Sequence, residues 1–306
     1  MSKKAIFVVG PTASGKTALS ISLAKKFDGE IISADSMQIY KGIHIASAAP
    51  DEAEKEGVPH HLLEFLEPNV QFSVADYVKK ARELIIHISA KGKLPIIVGG
   101  TGFYISSLLD NTEFLEEETD IDLRQRLECE FDNSGGEEML KRLAKFDPQS
   151  AERLHPSDKR RIVRCFEVYE ITGKTLTEQN ELSHKNSPDF ESLIIGITYK
   201  NRELLYERIN KRVDIMLKNG LLEEAKQAYN QDRIGAFQAI GHKEFFDYFN
   251  NKCSLETATE ILKQQTRRYA KRQLTWFRRD QRINWIFADE CENITQKANE
   301  LVKDFL

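Results

Sequence analysis

Residues Gly10 to Thr17 read GPTASGKT directly after the apolar run Ala5-Ile6-Phe7-Val8-Val9. Strand, glycine loop and helix start in that order form a phosphate cradle of the Walker A form, and few folds can house one. Glycines at Gly10 and Gly15 let the backbone curl so that its N–H groups point inward, and the next helix adds the positive end of its dipole. Lys16 brings a point charge for terminal phosphates, and the Thr17 hydroxyl is placed to ligand a divalent metal. A polyphosphate is therefore expected here. The loop alone does not say which polyphosphate, or which bond breaks.

Strand candidates at Ala5 to Val9, Glu30 to Ser33 and Leu94 to Val98 are separated by helical stretches at Lys16 to Lys26 and Val74 to Ala90. This alternation argues for a parallel sheet with helices on its faces, and ligands in such sheets sit beyond the carboxyl ends of the strands. Each end carries polar groups: the phosphate loop after the first, Asp35-Ser36 after the second, Gly99-Gly100-Thr101 after the third. Three segments thus converge on one crevice. Asp35 can hold a metal, take a proton from a nucleophile, or cap the turn that follows it. Thr101 can bind phosphate or cap the helix expected near Phe103. Arg208 and Arg212, four apart on one helix face, can pair with Glu203 or Glu207 or serve a departing anion.

From residue 112 the pattern turns into charged helix, through Leu123 to Phe131, Glu137 to Lys145 and Asp158 to Ile171. The expected organisation is an α/β core, P-loop NTPase-like, in two parts (1–111 and 189–306) around a helical insertion at 112–188. Strand character returns at Ser192 to Thr198, followed by one long helix from Arg202 to about Asn230, and by a last strand around Ile283 to Phe287. The C-terminal part is otherwise helical.

The formal net charge of −4 argues against a chain coated in positive charge, but the charges are unevenly spread. Phe114 to Asp122 is acidic. Lys159, Arg160, Arg161 and Arg164 form one basic cluster, and Lys263 to Arg282 forms another, interleaved with Tyr269, Trp276 and Phe277. Cations for phosphates and rings for bases suit a nucleic-acid surface, although an amphipathic helix with core aromatics explains the same letters. Cys129, Cys165, Cys253 and Cys291 are scattered without CxxC or Cys/His spacing, which suggests neither disulfides nor zinc. No apolar run approaches membrane-span length and no signal peptide is evident, so a cytoplasmic protein with no membrane partner is expected.

Further segments occur in a family order: DSMQIY at Asp35 to Tyr40, VPHHL at Val58 to Leu62, GGTGFY at Gly99 to Tyr104 and HPSDKRRIVRCFEVYEITGK at His155 to Lys174. They continue with RINKRVDIML at Arg208 to Leu217, QAIGHKE at Gln238 to Glu244 and RRYAKRQLTWFRR at Arg267 to Arg279. With GPTASGKT, they make the chain resemble the bacterial tRNA dimethylallyltransferases, or tRNA isopentenyltransferases, of the IPP transferase family. The resemblance implies transfer of a dimethylallyl group from dimethylallyl diphosphate to N6 of adenine 37, in tRNAs reading codons that begin with U.

By that resemblance Gly10, Pro11, Thr12, Ala13, Ser14, Gly15, Lys16 and Thr17 bind the donor diphosphate, with Mg2+ on Thr17. Asp35 is the general base, and Lys16, Thr101 and Arg212 complete the catalytic set. Asp35, Ser36, Met37, Gln38 and Thr101 meet the target nucleotide. Arg124, Arg160, Arg161, Ile162, Val163 and Arg164 grip the anticodon stem-loop, while Gln238, His242 and Lys243 line the RNA path. A monomer is implied. The chain departs from the family pattern at Ala49, where a lysine is usual, at Ser157 for asparagine, and at His242 for tyrosine. Two other readings compete: a P-loop small-molecule kinase, and a tRNA-binding paralogue of reduced activity. A GTP-driven switch is disfavoured because no NKxD signature is found.

Overall fold

The computed structural model describes residues 3–112, 114, 120–183, 190–230, 236 and 239–306. The chain divides into two compact units, one formed by Met1–Leu109 with Asp189–Leu306 and the other by Asp110–Pro188.

The first unit begins with β1 (Lys3–Val9), α1 (Lys16–Lys26), β2 (Gly29–Ser33), α2 (His44–Ser47), α3 (Glu52–Lys55), β3 (His60–His61), α4 (Val74–Ala90), β4 (Leu94–Gly99) and α5 (Gly102–Leu109). The second holds α6 (Ile121–Ser134), α7 (Gly136–Leu143), α8 (Pro148–Arg153), α9 (Lys159–Thr172) and α10 (Leu176–Ser183). The first unit then resumes with β5 (Phe190–Thr198), α11 (Arg202–Lys218), α12 (Leu221–Tyr229), α13 (Phe246–Phe249), α14 (Leu255–Phe277), β6 (Ile283–Phe287) and α15 (Ile294–Phe305).

Among the described residues the six strands are parallel, in the order β3-β2-β4-β1-β5-β6. Central strands of such a sheet are covered on both faces, which is why β1 reads as an unbroken apolar run and Ala5 to Val9 are fully buried. After β1 the chain winds outward to β2 and β3, and only later crosses to β5 and β6. The reversal leaves a crevice beyond the end of β1, between β4 and β5. Val9 pairs with Gly99 on one side and with Gly196 on the other, so the loops after β1 and β4 start side by side.

The helix expected from Arg202 to Asn230 is two helices. Gly220 adopts φ +99° and ends the first, a left-handed turn that glycine makes without a Cβ penalty. The apolar spacing carries through the break, which hid it. The two-residue strand β3 was too short to leave a period in the sequence.

The helical unit packs around Leu127, Met139, Leu143, Ile162, Val163, Cys165 and Phe166. Two short helices went unrecognised in the sequence, α8 and α10, and one buried carboxylate joins them. Asp147 accepts from Ser150 N–H at 3.0 Å, from Thr177 N–H at 3.2 Å and from Thr177 Oγ1 at 2.6 Å. Burial opposes the charge, but these hydrogen bonds outweigh it and hold the carboxyl below its ordinary range. Its stabilisation is complete above the ordinary value of 3.8 and disappears as the pH falls through the lower folded value. Asp147→Ala should destabilise this unit by roughly 3 kcal/mol at neutral pH, because both helix starts lose their acceptor. Chemical denaturation of the full chain checks it, and an unchanged midpoint would refute it.

Candidate active site

The phosphate loop leaves β1 with Gly10 at φ +147°, and a Cβ there would lie 2.2 Å from the Ile197 carbonyl. Only glycine lets the loop pass β5 so closely. Gly15 precedes α1 in the left-handed conformation, so the helix dipole points back into the loop. Ser14 Oγ is buried without a hydrogen-bond partner, an orphan that an anion's oxygen satisfies. The Thr12 N–H, however, is already given to Gln273 Oε1 at 2.8 Å, so not every loop amide is free for phosphate.

Lys16 donates to the Pro11 carbonyl at 2.7 Å. Its ammonium is pushed down to about 7 by burial first and by the neighbouring Arg212 second, with Asp35 pulling the other way. An arriving dianion relieves both penalties.

Arg208 and Arg212 both serve the loop. Arg212 reaches Thr12 Oγ1 at 3.3 Å and the Ala48 carbonyl at 3.4 Å, while Arg208 Nε donates to the Ala13 carbonyl at 3.0 Å and lies over the Tyr199 ring. Burial lowers the Arg212 pKa and Asp35 offsets part of it. The pairing with Glu203 or Glu207 open in the sequence is not the geometry adopted.

Asp35 follows β2 with one carboxylate oxygen accepting the Met37 N–H at 2.9 Å. It caps its turn and still faces Lys16 and Arg212 across the crevice. The Thr101 hydroxyl accepts the Ser36 N–H at 3.0 Å, so it ties two strand ends together, and the Thr101 carbonyl accepts the Ile105 N–H at the start of α5. Gln38 accepts from Ser33 Oγ at 2.9 Å and donates to the Ala48 carbonyl at 3.2 Å. Lys16, Asp35, Ser36, Gln38, Thr101 and Arg212 therefore belong to one network around the crevice. The exposed rings of Phe103 and Trp276 meet edge to face 6.2 Å apart beside it.

Three residues read as RNA contacts have side chains in the core. His242 is fully buried on Glu224, Nε2 to Oε1 at 2.8 Å, and the same carboxylate accepts the Ile45 and Ala46 N–H groups. Ile162 and Val163 form the interior of the helical unit. Helix periodicity explains this: α9 turns Ile162, Val163 and Phe166 inward and leaves Arg160, Arg161 and Arg164 exposed. Arg164 pairs with Glu167 and Arg124 with Glu128. Lys243 is exposed, and Gln238 lies outside the described residues, as does most of the acidic stretch at 114–122. In the basic aromatic segment Phe277 is core and Trp276 is exposed. Gln273 went unread as a site residue, for a helix-borne amide carries no motif of its own, and Tyr269, one of the rings of the basic segment, turns to the side chains of Gln273 and Thr101.

Among the described residues no cluster of three His, Cys, Asp or Glu side chains is placed to hold a metal, and no helix is long and apolar enough to cross a membrane.

A parallel α/β sheet that gathers a phosphate loop, a carboxylate and a threonine at three neighbouring strand ends defines the class, a P-loop-like core carrying a group-transfer crevice. The IPP transferase family model matches residues 38–280, and the chain belongs to that family. It is 45% identical to the tRNA dimethylallyltransferase of Caldanaerobacter subterraneus, covering all of this chain and 98% of that one. Among solved structures it resembles a tRNA isopentenylpyrophosphate transferase from Staphylococcus epidermidis, at 39% identity and TM-score 0.72 over 99% of both chains. A eukaryotic dimethylallyltransferase acting on tRNA aligns at 33% identity and TM-score 0.84, over 99% of this chain and 79% of that one.

Proposed function

We propose that this chain transfers a dimethylallyl group from dimethylallyl diphosphate to N6 of adenine 37 in tRNA. The observation that carries the reading is the meeting of Lys16 and Arg212 with Asp35 at one crevice, in a chain of this family.

The donor diphosphate sits in the loop Gly10 to Thr17, on the α1 dipole, Lys16 and Arg212. The adenine leaves its stack and enters beside Asp35, Ser36 and Thr101. The N6 lone pair is delocalised into the ring and is a weak nucleophile, so a base is needed. N6 bonds to the allylic carbon as the bond from that carbon to the diphosphate oxygen breaks. Asp35 accepts the N6 proton, and Lys16 and Arg212 hold the charge gathering on diphosphate. No covalent enzyme intermediate forms. Thr17, exposed at the start of α1 in the loop that carries the orphaned Ser14 Oγ, would hold Mg2+, an ion that needs few protein ligands where substrate phosphates are present. When bound, Mg2+ supplies further neutralisation of the diphosphate.

The exposed arginines of α9 grip the anticodon stem-loop, and the chain works as a cytoplasmic monomer. Incubation with unmodified tRNA, dimethylallyl diphosphate and Mg2+, followed by mass analysis of nucleosides, should yield N6-isopentenyladenosine. ATP turnover without that nucleoside would instead indicate a kinase-like chemistry. Reversing charge at Arg160 and Arg161 should weaken tRNA binding by about ten-fold or more at 0.1 M salt and flatten its salt dependence by roughly two phosphate contacts. Filter binding across a salt series checks this, and an unchanged slope would remove α9 from the RNA surface.

A further inference from the structure

Gln273 stands on α14, whose basic and aromatic residues suggest an RNA surface, yet its side chain is buried, with 5% exposure. Its Oε1 accepts the Thr12 N–H at 2.8 Å, and its Nε2 donates to the Gly100 carbonyl at 3.0 Å. One end of the amide holds the loop after β1, and the other holds the loop after β4. The partners fix its orientation, since an N–H must meet the oxygen and a carbonyl must meet the NH2. Tyr269, one turn earlier, lies against the side chains of Gln273 and Thr101.

Sheet pairing aligns the two strands as far as Val9 and Gly99. Beyond that point ladder hydrogen bonds stop, and the relative position of the loops must be set by other groups. The first loop carries Lys16 and the donor; the second carries Thr101 and flanks the incoming adenine. Their spacing is the spacing of the two reactants.

We propose that Gln273 is a positioning residue that sets the distance between the donor-holding and acceptor-holding loops. It acts through Thr12 and Gly100 and touches neither reactant. The inference rests on the transfer reaction proposed above. A displacement of about 1 Å between reacting atoms costs on the order of a hundred-fold in rate, so the effect belongs in the chemical step more than in affinity.

The test is single-turnover formation of N6-isopentenyladenosine with both substrates saturating, at a temperature where melting curves show each variant folded. Gln273→Met keeps length and loses both hydrogen bonds. Its rate should fall by about ten-fold or more, while dissociation constants for tRNA and inorganic diphosphate stay within about three-fold. Gln273→Glu adds a readout that a packing role would not move. As a neutral acid it reproduces both bonds, its carbonyl accepting from Thr12 and its O–H donating to Gly100. As a carboxylate it sets an anion against the Gly100 carbonyl. Its rate relative to wild type should therefore rise as the pH is lowered through the carboxyl titration.

Wild-type turnover by Gln273→Met, a loss confined to diphosphate affinity, or a flat ratio for Gln273→Glu would each overturn the assignment. If the wild type itself makes no product, the transfer reading fails and takes this inference with it. Wild-type product with an unimpaired Gln273→Met sinks this inference alone.

Discussion

Asp35→Asn will reduce the single-turnover rate of adenine prenylation by roughly 10²- to 10⁴-fold, the usual worth of a positioned general base, and will leave tRNA affinity nearly intact. The amide keeps an oxygen to accept the Met37 N–H at 2.9 Å, so the turn after β2 survives. What disappears is the acceptor for the N6 proton, together with the negative charge that faces Lys16 and Arg212. Without that charge the two cations hold diphosphate more tightly, and affinity for inorganic diphosphate should rise as the rate collapses. The opposite signs separate a catalytic carboxylate from a turn cap, which would move stability and neither of the other quantities. Undiminished product from Asp35→Asn would remove the residue from the mechanism.

Much of the crevice could be read from the letters because backbone chemistry dictates them. A loop in which an added Cβ would lie 2.2 Å from a neighbouring carbonyl admits only glycine at Gly10, and strands buried on both faces are continuous apolar runs. Lys16, Asp35 and Thr101 follow such strands directly, so their position along the chain fixes their place in space. Arg212 needed more, since its helix face was legible but its target was not. The failures share another cause. His242 lies in the segment read as RNA-facing, and its burial on Glu224 depends on α2 and α12 meeting, a contact between distant residues. Ile162 and Val163 stand in a contiguous RNA-binding run in the sequence, but a helix turns by about 100° per residue, which puts these two inward and Arg160, Arg161 and Arg164 outward. Gln273 is the reverse case, a buried polar side chain within a stretch whose charge suggested exposure. Its role depends on two loops more than 170 residues away from it in the chain.

Lys16→Met will make the free protein more stable and will nearly eliminate its activity. In the folded chain the ammonium is pushed down from 10.5 to about 7, by burial first and by Arg212 second. Because the folded pKa lies below the unfolded one, the folded state binds fewer protons between those values, and stability rises with pH across that window. Below about pH 7 the lysine is charged in both states, and the cost of enclosing it is fully present. The melting midpoint of Lys16→Met should therefore exceed that of wild type most clearly at pH 6, and the gap should close as the pH rises towards 10.5. The reaction responds in the other direction. A diphosphate arriving in the loop restores the lysine's proton, so its binding to wild type is accompanied by proton uptake above neutrality and weakens as the pH rises. The methionine variant loses that uptake, and its rate should fall by about 10²- to 10³-fold, as when one charge-stabilising donor is removed from a transition state. Calorimetric titration with inorganic diphosphate in buffers of different ionisation enthalpy measures the protons directly. Equal uptake by the two proteins would show that another group, and not Lys16, takes up the proton when the anion binds.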